Sequence, residues 1–147
     1  MILISHRGNI IGKKPQLENS PGYIDEAIAK GYDVEIDLWR VNDDWLLGHD
    51  EPQYEIDLNW ISKRSIKLWV HCKNVEALSY LIINKKESRN INYFWHESDT
   101  VTLTSLGYIW AFPGKQPIES SIAVMPELEN DSLQRCIGVC SDYISNY

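Results

Sequence analysis

The 147-residue chain predicts an α/β fold on a parallel sheet, and three observations carry the prediction. Strand-like and helix-like runs alternate through the first half, the pattern of crossover-connected parallel strands. The second half keeps short apolar runs but has little helix between them. Almost every apolar run also ends, on its C-terminal side, in imidazole or charged side chains, and in a closed parallel barrel such ends converge on one face. No repeat, linker or low-complexity tract divides the chain, so one domain over residues 1–147 is expected.

"MILIS" reads as a buried strand that stops at His6-Arg7-Gly8. A polar loop follows. In "NSPGYIDEAIAKG", Ser20 is the expected N-cap, Pro21 the first helical residue and Gly31 the stop, with Ile24, Ala27 and Ile28 on the buried stripe. "DVEIDLW" alternates strictly: Asp33, Glu35 and Asp37 share one face of a strand, and Val34, Ile36 and Leu38 share the other. A strand with one wet face satisfies that pattern; so does a cation that gathers the carboxylates. "NDD" is a turn signal, and "WLLGHD" is a hairpin arm that ends in His49-Asp50.

"DLNWISKR" suits a short helix, and "SIKLWVHCKN" a buried strand that delivers His71 and Lys73. "NVEALSYLIINKK" predicts a helix capped by Asn74, with Val75, Leu78, Leu81 and Ile82 inward. "NINYFWHE" ends in His96-Glu97, "GYIWAFPGK" is a short strand around Trp110, and "SSIAVMPE" runs to Glu127. "DSLQRCIG" is long enough for about two helical turns, and "GVCSDYI" closes the chain as a strand that ends in Ser141-Asp142. A lone histidine at a strand end is ordinarily structural. Here all four histidines stand at such ends, which points to a site.

Composition narrows the partners. Hydrophobic residues at 44% and charged residues at 24% are those of an ordinary soluble globular chain. A net charge of -7 argues against a nucleic-acid or anionic-membrane surface. No apolar run approaches the roughly 20 residues that span a bilayer, and the N-terminus lacks the features of a signal peptide. Cys72, Cys136 and Cys140 include no CxxC pair, so reduced thiols and a cytoplasmic location are expected.

Five elements in order, His6-Arg7-Gly8, Glu18-Asn19-Ser20, Glu35-Ile36-Asp37, His49-Asp50 and Ser141-Asp142, span nearly the whole chain. Their order and spacing resemble the glycerophosphodiester phosphodiesterase family, within the wider group of phosphatidylinositol-phospholipase-C-like barrels. The resemblance implies a TIM-type (β/α) barrel. At this length, well short of the roughly 250 residues usual for such barrels, it would be compact and reduced, with helices replaced by loops and room for one missing strand. It further implies metal-dependent hydrolysis of a small-molecule glycerophosphodiester, with His6 and His49 as the acid–base pair and Arg7 and Lys73 on the phosphate. A cyclic phosphate can form on the way. Lyase or phosphotransferase chemistry, and non-catalytic binding of a phosphate ligand, are the alternatives.

Glu35 and Asp37 are the implied ligands of one divalent cation, and the family places a third acidic ligand two residues before the lysine. This chain has His71 there. If Glu97 or Glu127 completes the set, the site is oxygen-rich and suits Mg²⁺ or Ca²⁺; if His71 does, Mn²⁺, Zn²⁺ or Fe²⁺ gains preference. Glu18 is expected to orient Arg7, with Asn19 beside it, and Asp50 to orient its loop or a metal-bound water. Trp110 and Lys115 are candidates for the leaving-group side, and His96 is a further strand-end imidazole. The thin helical coat predicts a homodimer.

Overall fold

The computed structural model describes residues 1–147, and seven parallel strands form its centre. β1 (Ile2–His6) pairs on one side with β2 (Asp33–Val41) and on the other with the last strand, β10 (Gly138–Ser141). β5 (Leu68–Cys72) and β6 (Asn92–Phe94) continue the sheet beyond β2. β9 (Ser121–Val124) and β8 (Ile109–Ala111) continue it beyond β10. Three strands run antiparallel: β3 (Asp44–Leu47) folds back on the end of β2, β4 (Tyr54–Ile56) follows it, and β7 (Val101–Leu103) pairs with β8.

The expected TIM-type barrel does not form. The sheet is mixed and 10-stranded, it curls into a half-barrel, and its parallel ends β6 and β8 share no ladder. Strand length and helix placement account for this. β6 and β8 have three residues each. All four α-helices, α1 (Pro21–Ala29), α2 (Leu58–Arg64), α3 (Val75–Ile83) and α4 (Lys85–Ser88), fall in the first part of the chain. No α-helix follows Ser88 to coat the second part of the sheet. The β6 side instead leans on the loop before β8: Tyr93 N donates to Ser105 Oγ at 2.9 Å, Ser105 N donates to Tyr93 O at 2.7 Å, and the Phe94 and Trp110 rings lie 4.8 Å apart.

The alternation in β2 sorts two cores. Val34, Ile36 and Leu38 are fully buried outside the curl, against Ile24 and Ala27 of α1, Ile61 of α2 and Leu81 of α3. Inside it, Ile4, Trp69, Phe94, Trp110, Ile122 and Cys140 make a second cluster, so Trp110 is core as well as a wall of the cavity described below. Asp33 is structural, held by Lys67 Nζ at 2.9 Å and Trp69 Nε1 at 3.1 Å. The β2–β3 turn is made by Asn42 and Asp43, both at positive φ (50° and 73°), as a two-residue hairpin requires.

Several local expectations change. Ser20 occupies the N-cap of α1, but its side chain makes no capping hydrogen bond. Asn74 does cap α3 through Ala77 N, yet Val75 and Ile82 are 59% and 46% exposed and the buried face is Ala77 and Leu81. "DSLQRCIG" forms no helix. Its backbone is used by the start of β9 instead: Ser120 N donates to Arg135 O, and Ile137 N to Ser121 O. β4, β7 and α4 were not anticipated. All three cysteines are free thiols, and no helix is long and apolar enough to cross a membrane.

Candidate functional site

The C-terminal ends of β1, β2, β5 and β10 bring the site together. Register places His6 beside Glu35 and Asp37 beside His71, and all four side chains are buried. After His6 the chain turns sharply through Arg7 at φ 56° and Gly8 at φ 96°. Gly8 has a steric as well as a conformational reason, because a Cβ there would lie 2.5 Å from the Tyr23 ring. Asn19, itself at φ 62°, clamps the next strand: its amide donates to Asp37 Oδ2 and its carbonyl accepts from Asp37 N, both at 2.9 Å. Gly48 sets up His49, since a Cβ at Gly48 would stand 2.0 Å from Glu51 O.

A polar chain runs from β10 to the first loop. His6 Nδ1 donates to Asp142 Oδ1 at 2.7 Å, and Asn9 Nδ2 donates to the same oxygen at 2.9 Å. Asn9 also donates to Glu18 Oε1 at 2.8 Å, and Glu18 Oε2 accepts from Arg7 Nη1 at 3.3 Å. Glu18 thus contacts both Asn9 and Arg7. Burial pushes the His6 pKa down against the opposing pull of Asp142. Asp142 lies below the usual carboxylate range: burial opposes this, but the bonds from His6 and Asn9 prevail.

Asp37 is the most heavily engaged carboxylate. Arg7 Nε lies 2.9 Å from its Oδ2 without an aligned hydrogen bond, His49 Nδ1 lies 3.4 Å from the same oxygen, and Lys73 Nζ is 3.6 Å from Oδ1. Burial alone would raise its pKa; hydrogen bonds from His49 and His71 and the Arg7 charge hold it well below the usual value. Glu35 goes the other way. Burial, reinforced by the Asp37 charge, pushes it well above 4.5, and its Oε2 is buried without a hydrogen-bond partner. Two carboxylates on one strand face are driven apart in acidity by their surroundings, which is common where they take different chemical roles.

Glu35, Asp37 and His71 each offer a ligand atom within 4.8 Å of the others, and all three are buried. The donor set and the orphaned Glu35 oxygen fit a divalent cation. Neither proposed acidic substitute joins them. Glu127 is held by Ser141 Oγ at 2.7 Å and Tyr147 OH at 3.0 Å, and Glu97 is exposed at the cavity wall.

A cavity of about 560 Å³ opens over these groups. Its charged side carries His6, Arg7, Lys13, Glu35, His49 and Lys73. Its other side is largely aromatic, with Trp95, His96, Trp110 and Phe112. His96 stacks on His71 at 4.1 Å, and burial, with the His71 charge second, lowers its pKa to about 4. Asp50 is almost fully exposed, 3.6 Å from His49. Lys115 is exposed and does not line the cavity. No sequence pattern assigns Asn9, Lys13 or Phe112 to the site, and Asp142 stands in the sequence as a strand end and the last element of the resemblance, without a role. The one signal for Asn9 was its place immediately after His6-Arg7-Gly8.

No family model matches this chain, and neither the curated proteins nor the solved structures contain a match to it.

Proposed function

We propose that the chain is a metal-dependent phosphodiesterase of the glycerophosphodiester type, acting on a small-molecule phosphodiester. The observation that carries this reading is the convergence of His6, His49, Glu35, Arg7 and Lys73 on one cavity, with the buried Asp37 in contact with Arg7, His49 and Lys73. A cation held by Glu35, Asp37 and His71 would supply neutralisation of the phosphoryl oxygens.

The remaining steps belong to side chains. Arg7, held by Glu18, offers a forked pair of N–H donors to a phosphoryl oxygen, and Lys73 adds a second positive charge. His6 keeps its Nδ1 proton on Asp142, so Nε2 carries the lone pair and can take the proton of the attacking hydroxyl. Because burial lowers its pKa, His6 is neutral and ready as a base near pH 7. His49 accepts from Arg7 Nη2 at Nε2 (3.3 Å) and turns Nδ1 to Asp37 Oδ2 (3.4 Å), so it must first take up a proton at Nε2, displacing that Arg7 contact, before it passes one to the departing alkoxide. Attack by a neighbouring substrate hydroxyl leaves a cyclic phosphate; attack by water leaves a monoester.

Phosphorus NMR of a glycerophosphodiester panel, with chelated protein reloaded with single divalent ions, tests the reading. A monoester or cyclic phosphate resonance that grows only with ion present supports it and separates hydrolysis from cyclisation. An unchanged diester spectrum with every ion would refute it. Pure ligand binding is the weaker account, because binding a phosphate does not require the Asp142–His6 pair.

A further inference from the structure

We infer that His71 makes this centre selective for a borderline transition ion, of the Mn²⁺, Fe²⁺ or Zn²⁺ class, over Mg²⁺ and Ca²⁺. The inference rests on the cation site of the proposed phosphodiesterase and concerns which ion that site takes.

The tautomer of His71 is set by its neighbours. Nε2 lies 3.3 Å from the main-chain carbonyl oxygen of His96, which can only accept, so Nε2 carries hydrogen. Nδ1 faces Asp37 Oδ1 at 3.1 Å and Glu35 Oε1 at 3.9 Å; a hydrogen there bonds Asp37, and a cation that displaces it meets the Nδ1 lone pair. Both ring nitrogens thus meet oxygen acceptors, and the Nδ1 side is the place where either a proton or a cation joins His71 to the carboxylates. Bonds of about 2.0–2.2 Å from one ion to nitrogen and oxygen put adjacent ligand atoms about 3 Å apart, close to the separation of His71 and Asp37. A backbone carbonyl on the remote ring nitrogen is also the support that metal-bound imidazoles ordinarily have.

The ring has little freedom to turn away. Phe94 stacks on one side at 5.3 Å with an interplanar angle of 2°, and His96 stacks at 4.1 Å and 10°. No third carboxylate joins Glu35 and Asp37 within ligand reach. A hard ion that prefers six to eight oxygens would find two carboxylates here, whereas imidazole with carboxylate suits the borderline ions. Glu35 Oε2, buried without a hydrogen-bond partner and 3.8 Å from His6 Nε2, leaves a carboxylate oxygen free to take a cation.

The test uses the full chain, stripped with chelator and without substrate. Mn²⁺, Zn²⁺, Mg²⁺ and Ca²⁺ are titrated singly by calorimetry, and the Mn²⁺-loaded protein is examined by pulsed EPR for nitrogen coupling. We expect one Mn²⁺ or Zn²⁺ per chain, with Mg²⁺ and Ca²⁺ weaker by about tenfold or more. Nitrogen coupling should be present in the wild type and lost in His71→Glu, which should also bind Mg²⁺ more tightly. Mg²⁺ or Ca²⁺ binding as tight as Mn²⁺, a Mn²⁺ signal without nitrogen coupling in the wild type, or no ion bound at all would each overturn the inference. The wild-type measurements decide even if His71→Glu does not fold. A nitrogen-ligated ion in a protein that cleaves no diester would count against the phosphodiesterase reading alone. Turnover with an oxygen-only ion would count against the His71 inference alone.

Discussion

His6 and Asp142 are 136 positions apart in sequence and 2.7 Å apart in space. Because the carboxylate accepts from Nδ1, it fixes which nitrogen of His6 is basic. In Asp142→Asn an amide can donate to Nδ1 and turn the ring to the other tautomer, so turnover should fall on the order of 100-fold or more with little change in KM. Steady-state kinetics at matched metal loading checks this. Glu35 gives a prediction about stability. Its folded pKa is raised, so the neutral form is favoured in the fold; its contribution is fully present below the ordinary value of 4.5 and is lost as pH rises through the folded value. Chelated Glu35→Gln should therefore unfold at a higher temperature than chelated wild type at about pH 8 and lose that advantage at about pH 4. A bound cation replaces the proton, so ion binding to the wild type should release protons, read by calorimetry in buffers of different ionisation enthalpy. Residue types at this scale were legible in the sequence. Asp142's role was not, because a pairing across the whole chain leaves no local pattern.

β2 shows what periodicity can and cannot deliver. Its strict alternation identified both the inward carboxylates and the outward aliphatics, because two-residue periodicity translates directly into two faces. Ile36, wholly buried in the outer core, should cost about 2–5 kcal/mol when cut to alanine, measured by urea unfolding. The buried stripe of α3 is less legible. Val75 and Ile82 look as apolar as Leu81, yet α3 turns Ala77 and Leu81 toward the sheet. Only tertiary contact chooses among adjacent apolar stripes. The hairpin carries a sharper test. Gly48→Ala forces a Cβ against Glu51 O, so the loop must shift and take His49 with it. Activity should drop on the order of 100-fold, beyond what any loss of folded fraction explains; thermal unfolding beside kinetics separates the two.

Across the whole molecule, convergence of the strand ends was legible and closure of the sheet was not. In the first half the helix-like runs stand between the strand-like ones, so the alternation of β1, β2, β5 and β6 with helices is legible even where a cap or a buried stripe is not. After Phe94 the connectors carry no helix, and three-residue strands reveal neither partner nor register. The curl survives because aromatic rings, Trp69, Phe94 and Trp110, fill its interior from both sides. Net charge of -7 sits awkwardly with an anionic substrate until Arg7, Lys13 and Lys73 are seen around one cavity. Local placement of cations overcomes the general field. The most direct measurement is diester turnover by ion-loaded wild type beside His6→Ala, with both melting curves recorded. Ion-dependent turnover is expected to fall roughly 100- to 10,000-fold in the variant, beyond what any drop in its melting temperature explains. Equal turnover in the two proteins, or turnover indifferent to the ion, would contradict it.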